Sequence, residues 1–404
     1  MIPQRWRLLS GENNWQNLLS PLDDDLKQYI NHYGAMAQAT YDTFNMEKSS
    51  KYTGCSRYSR RNLFSRVGLV NGNPFKYEAV KYIYATSSIG VPESFLLKSM
   101  SHDAWLEESN WIGYVAVATD EGKIALGRRD ILVVWRGTIQ PIEWVKDFDF
   151  PLVPASNIIG TDGDNAYVHK GFLSVYTSDN ERSKFNKTSA RDQNPCQVLS
   201  EVKTQVKQFK DEEISITVTG HSMGGALSAM SAGDIVANGF NKPSDQPNKP
   251  CPVTAFMFAS PRVGDSNYFD VLQSMNDLRI LNIKNAPDIV PTLPPFPYID
   301  VGVNLMIDSR KSPYLKHPGD FFSWHSLEGA YLRAVTEATT RNEGGADPEL
   351  EVKRDLALVN KSSYALKDEY LVPVFWWIEK NRGMVQKSNG SWVLHDHETD
   401  DDDP

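Results

Sequence analysis

Cysteine is scarce in this 404-residue chain: there are three, Cys55, Cys196 and Cys251, far apart and without a CxxC spacing. An odd, scattered set excludes a disulfide framework and offers no thiolate metal or redox site, so a reducing compartment is expected. Long hydrophobic runs are lacking too. The purest, Ile131 to Trp135, has only strand length, so no transmembrane segment is expected and any meeting with a membrane is at its surface. The opening MIPQRWRLLSGENNW holds no apolar run of signal-peptide length and is poor in serine and arginine, which makes the cytoplasm the expected location. Without an export signal, the sequons Asn186-Lys187-Thr188 and Asn360-Lys361-Ser362 carry little weight. A basic excess is also missing. The net charge is −9, and aspartates occupy 400 to 403, which argues against a nucleic-acid partner.

What is there is ordinary globular material, with 40% hydrophobic and 23% charged residues, enough to bury a large core. A single domain over 1–404 is expected: a mainly helical segment over 1–110, a catalytic core over 111–335, and an extension over 336–404 ending in a disordered acidic tail. Ser20-Pro21-Leu22-Asp23 reads as a helix start with Ser20 as cap, followed by Leu22, Leu26, Tyr29, Ile30 and Tyr33 on one face. Lys48, Lys51, Arg57, Arg60, Arg61 and Arg66, interspersed with tyrosines, read as a solvated loop rather than a phosphate site. Trp376 and Trp377, though attractive as an interfacial anchor, read as residues packed on the core.

From Trp111 strand-like runs begin. "WIGYVAVA" and "ILVVWRG" flank "TDEG", which suggests a hairpin turn; "QVLSEVKTQVKQF" has helical spacing and leads into the strand "ISITVTG". "VTAFMFASPRVGD" and "LRILNIKNAPDIVP" add two more strand-length runs closed by turn residues. Strands alternating with helices imply an α/β fold with a mostly parallel sheet covered on both faces.

Gly220-His221-Ser222-Met223-Gly224 fits G-x-S-x-G, in which a serine sits on a strained strand-to-helix turn and glycines avoid collisions with neighbouring backbone. The bare pattern is weak, but a strand with Ile214, Ile216 and Val218 precedes it and a small-residue helix with Ala226, Ala229 and Ala232 follows. Ser222 is therefore the candidate nucleophile. It needs a base and a group to orient that base, in the chain order Ser, Asp or Glu, His. Asp288 follows the strand "LRILNIKN", with Asp265 an alternative. His325 is favoured over His317 because it borders an apparent helix, "SLEGAYL", whereas His317 lies in a Pro-Gly loop; His395 and His397 belong to the polar tail. Oxyanion donors are expected from the backbone N–H of Met223 and from Thr138, which ends the strand "VVWRGT". The stretch from Ile139 to Val168, with Ile142, Trp144, Val145, Phe148, Phe150, Leu152 and Val153, has two readings: a lid that turns its apolar face to lipid, or, for any single one of these residues, core packing. "PTLPPFPYI", with Leu293, Phe296, Tyr298 and Ile299, reads as a second apolar rim.

The stretches "LSGENNWQNLLSPLD", "YGAMAQATYDTFN", "WRGT" with "EWVKDFD", "VHKGF", "GHSMGGAL", "FASPRVGD", "NAPDIVPTLP", "WHSLEGAYL", "LVNKSSYALKDEYLVP" and "GMV" resemble the class 3 lipases. Within them they are similar to the plant phospholipase A1 group that lacks a plastid-targeting extension. The resemblance runs from about residue 6 to 385. It implies an α/β-hydrolase fold with a lid-like insertion, a triad of Ser222, Asp288 and His325, and oxyanion donors at Thr138 and Met223. It further implies hydrolysis of the sn-1 ester of a glycerophospholipid at a membrane or micelle surface, without metal or organic cofactor. Three other functions stay open: a lipase for mono- or diacylglycerols or galactolipids, a non-catalytic signalling scaffold, and a non-lipid serine esterase or peptidase. Oligomeric state is not legible.

Overall fold

The computed structural model describes residues 1–100, 104, 109–139, 151–160, 165–191, 197–338, 354–377 and 380–395. Its framework is a seven-stranded sheet whose strands alternate between two apolar faces. In chain order the elements are α1 (Ile2–Leu9), α2 (Asp24–Thr43), β1 (Tyr77–Ala85), β2 (Asn110–Ala118), α3 (Asp120–Leu126), β3 (Arg129–Trp135), β4 (Leu152–Pro154), β5 (Tyr167–His169), α4 (Lys170–Thr177) and α5 (Val198–Gln208). Then come β6 (Ile214–His221), α6 (Met223–Ala237), β7 (Val253–Phe258), α7 (Ser266–Ser274), β8 (Leu278–Asn285), β9 (Val303–Ile307), α8 (Phe321–His325) and α9 (Leu332–Glu337). The sheet order is β1-β2-β3-β6-β7-β8-β9; β1, β2 and β3 pair antiparallel, and the pairs from β3 to β9 are parallel.

Period-2 alternation splits β3 between the faces. Ile131, Val133 and Trp135 pack with Ala226, Ala229 and Ala232 of α6. Leu132 and Val134 pack on the other side with Leu26, Tyr29, Ile30 and Tyr33 of α2 and Leu332 and Val335 of α9. Both faces of the central strands are therefore buried, as their near-continuous apolar sequence requires. β1 falls within the first 110 residues and adds an edge strand to a segment otherwise built of helices and turns.

Two local expectations are corrected. α2 is capped by Asp23, not Ser20: the carboxylate accepts from Leu26 N at 3.1 Å, and Asp24 and Asp25 then fill the first turn. "TDEG" is not a hairpin turn but the start of α3. Thr119 caps it by accepting from Gly122 N at 3.1 Å, the two acids favour its N-terminus, and Gly127 closes it at φ 79. The same residue types suit turns and helix caps, and here the cap wins.

Both sequons are occluded. Asn186 is fully buried and donates to Tyr84 O at 2.7 Å, and buried Asn360 accepts from Leu366 N at 3.0 Å. Trp376 is buried and bonds Ala357 O, while Trp377 bonds Asp42 O, so both serve packing. Cys55 and Cys251 are unpaired; Cys196 and the acidic tail over 396–404 lie outside the described residues. Among the described residues no helix is long and apolar enough to cross a membrane.

Candidate active site

The turn after β6 puts Ser222 at φ 58 and ψ −129, a conformation that costs a non-glycine residue about 1–3 kcal/mol. Backbone bonds hold it there: Ser222 N donates to Phe258 O at 2.9 Å and Gly225 N to Ser222 O at 2.9 Å. The glycines permit the packing. A Cβ on Gly220 would sit 2.2 Å from Gly224 O, and one on Gly224 would sit 2.4 Å from Trp135 O. Met223 opens α6, a 15-residue helix, so its amide is among those left without an intrahelical partner and lies at the positive end of the helix dipole.

Asp288 lies in the turn that ends β8, and its side chain is fully buried. Oδ2 accepts from His325 Nδ1 at 2.8 Å and from the Tyr331 hydroxyl at 2.7 Å, while Oδ1 accepts from Val290 N at 3.0 Å. This bonding fixes the imidazole tautomer. Nδ1 carries the proton, and Nε2, buried and without a hydrogen-bond partner among the described residues, keeps a free lone pair. Burial beside the Asp288 carboxylate pushes the Tyr331 hydroxyl well above its ordinary value, so it stays a donor. Thr138 is buried, with Oγ1 3.4 Å from Ser222 Oγ. The structure thus brings together Ser222, Thr138 and Met223 on one side and Asp288 with His325 on the other. Asp265 instead caps α7, accepting from Tyr268 N at 2.9 Å. His317 is exposed, 3.4 Å from Ser312 O.

His325 ends α8, and the apparent helix after it begins as a single π-helical turn over 327–331 that carries Tyr331 toward Asp288. Such turns recur at functional sites because they displace one side chain from helical register.

Three supports escaped the sequence reading. His221 Nε2 lies 2.8 Å from His325 O and Nδ1 lies 2.7 Å from the Tyr41 hydroxyl. A carbonyl only accepts, so Nε2 carries the proton and Tyr41 donates to Nδ1. Burial, reinforced by His325, holds His221 well below its ordinary pKa, so it is neutral. Arg136, fully buried, donates to Gly137 O at 2.7 Å, Phe95 O at 3.2 Å and Trp111 O at 3.2 Å, bracing the turn that bears Thr138. Burial lowers its pKa to about 10. No local pattern announces these contacts, because Tyr41 and His221 are 180 positions apart.

A cavity of about 550 Å³ opens on the site, lined by Thr138, His221 and His325 and by the apolar Phe44, Met46, Ile139, Phe322, Phe375 and Trp377. Leu293, Phe296, Tyr298 and Ile299 do not line it: Tyr298 is buried against His169, and Ile299 N bonds Gly264 O. The expected second rim is therefore replaced by Phe322 and Phe375. Of the expected lid, Ile142, Trp144, Val145, Phe148 and Phe150 lie outside the described residues, and Val153 packs on the core.

Comparison with known proteins places this geometry. The family model "Lipase (class 3)" matches residues 132–298. Phospholipase A1-IIgamma of Arabidopsis thaliana is 53% identical over 99% of this chain and 94% of its own length. Phospholipase A1-II 6 of Oryza sativa subsp. japonica is 50% identical over 99% and 96%. Among solved structures, Lip2 lipase from Yarrowia lipolytica is similar at 18% identity and a TM-score of 0.45, over 78% of this chain and 84% of that one. The chain belongs to the class 3 lipase family and, within it, to the phospholipase A1-II group.

Proposed function

We propose that the protein hydrolyses the sn-1 ester of glycerophospholipids by acyl transfer through Ser222. The observation that carries this reading is the buried Nε2 of His325, without a partner among the described residues, whose other nitrogen is anchored on Asp288 beside a strained serine. Nε2 takes the hydroxyl proton of Ser222 as its Oγ bonds to the ester carbonyl carbon. The developing oxyanion is met by the Met223 amide and by Thr138. Collapse breaks the ester bond, His325 returns the proton to the departing lysophospholipid alkoxide, and water then hydrolyses the acyl-serine by the same proton path in reverse. The names of the similar proteins supply the substrate class. The apolar lining of the cavity suits an acyl chain. The unpaired thiols of Cys55 and Cys251 suit a cytoplasmic enzyme that meets lipid at a membrane surface, folded as one domain.

The test uses the purified protein and Ser222→Ala on phosphatidylcholine labelled differently at its two acyl positions, with diacylglycerol in parallel. Release of the sn-1 label by the parent alone is expected. Cleavage of diacylglycerol alone would move the protein to the neutral-lipid lipases, and cleavage of neither would favour a binding role.

A further inference from the structure

Arg57 belongs to the basic stretch over 48–66, whose sequence reads as a solvated loop. Within that stretch Lys48 pairs with Glu93 at 3.0 Å and Arg60 donates to Val80 O, while Arg57, Arg61 and Arg66 make no side-chain hydrogen bond or ion pair among the described residues. Arg57 is set apart by its place. It lines the cavity that holds Thr138 and His325, it is exposed, and among the described residues no hydrogen bond or ion pair engages its guanidinium, whose charge is felt at longer range by the exposed Glu47 carboxylate. The carboxylates lining the same cavity are committed elsewhere. Asp42 is bound to Lys361 at 2.6 Å, and Asp320 caps α8 by accepting from Ser323 N at 2.8 Å.

The position of Arg57 is set by backbone rather than by its own side chain. Arg57 N donates to Thr43 O at 2.7 Å, and Asn45 N donates to Cys55 O at 2.9 Å, so the loop is stitched to the C-terminal end of α2. That end supplies Gln38, Tyr41 and Asp42 to the cavity. In a glycerophospholipid only the three-carbon glycerol unit separates the sn-1 ester from the phosphate. A group that reads the phosphate must therefore share a cavity with the oxyanion donors, and a planar guanidinium matches two phosphate oxygens at once.

We propose that Arg57 forms a phosphate subsite at the rim of the catalytic cavity, binding the phosphodiester of a glycerophospholipid whose sn-1 carbonyl lies at Ser222. This rests on the phospholipase reading and makes Arg57 the residue that favours phospholipid over diacylglycerol. Since every glycerophospholipid carries the phosphodiester, the subsite predicts discrimination against neutral lipid without strong choice among headgroups.

Parent, Arg57→Gln and Arg57→Lys are compared on dihexanoyl phosphatidylcholine below its micellar concentration and on dihexanoylglycerol, so that attraction to a charged surface plays no part. Arg57→Gln is expected to lower kcat/KM on the phospholipid by about tenfold to a hundredfold, with less than about a threefold change on the diacylglycerol and partial recovery in Arg57→Lys. Equal losses on both substrates, or an Arg57→Gln variant as active as the parent on the phospholipid, would overturn the subsite and leave the phospholipase reading standing. A parent active on diacylglycerol alone would overturn both.

Discussion

Each end of the paired strands β3 and β6 buries a cluster of polar side chains, and the two clusters differ in how completely they are satisfied. At the N-terminal end, Asp130 lies in register with Ser215 and is fully buried. Its Oδ1 accepts from Ser215 at 2.6 Å and Thr217 at 2.8 Å, and its Oδ2 from Tyr33 at 3.0 Å and Tyr77 at 2.6 Å. Arg128, equally buried, adds bonds to Ser215 and Tyr33 at 2.8 and 2.9 Å and neutralises the charge. At the C-terminal end, Ser222 is strained and His325 Nε2 has no partner among the described residues. A saturated network stabilises a single arrangement and leaves nothing with which to react. An open one carries unused bonding capacity, which is what a reaction consumes.

The contrast predicts that the two clusters fail in different ways. Ser222→Ala is expected to reduce kcat by about 10⁴-fold or more, with unfolding free energy within about 1 kcal/mol of the parent. A variant that keeps a tenth of the activity would place the nucleophile elsewhere. Asp130→Ala inverts the pattern. It strands the buried Arg128, so urea unfolding is expected to show a loss of about 3–5 kcal/mol, with the folded fraction retaining its specific activity.

Acid sharpens the comparison, because buried neutral histidines occur on both faces of the sheet. Burial lowers His32 and His169 to about 3, and lowers His221 well below its ordinary value. Each stays neutral in the folded protein, while the unfolded chain takes up a proton near pH 6.5. Stability is therefore full above that pH and falls below it, by about 1.4 kcal/mol per pH unit for each histidine until the folded form also titrates. Urea melts between pH 7 and pH 5 check this, and His32→Phe should make the decline shallower by one histidine's share. The smallest effect is expected from Tyr41→Phe, which removes the donor to His221 Nδ1 and loosens the backbone of His325; kcat should fall by about tenfold. An unchanged kcat would reduce the Tyr41–His221 contact to packing.

How much of this was legible in the sequence follows the range of each interaction. Ser222, Met223 and the flanking glycines are legible because the turn that strains the serine is encoded within five residues. Asp288 and Thr138 are legible because parallel strands present their ends at one edge of the sheet, and each ends a recognisable apolar run. The misread positions, Ser20 and "TDEG", are places where cap and turn use the same residues and only tertiary packing decides. Tyr41, His221, Tyr331 and Arg136 give no signal because their partners lie far away in the chain or are backbone carbonyls. Arg57 was legible as a charge but not as part of a cavity, since a basic loop reads the same whether it faces solvent or substrate.

The central claim is that Ser222 is the group acylated during turnover, activated by His325. Its most direct test is covalent: reaction with a fluorophosphonate, followed by intact mass and peptide mapping of the parent, Ser222→Ala and His325→Ala. One equivalent on Ser222 in the parent, none in Ser222→Ala and strongly slowed labelling in His325→Ala is the predicted result. Stoichiometric labelling at another serine, or labelling of Ser222 at the same rate without His325, would contradict it.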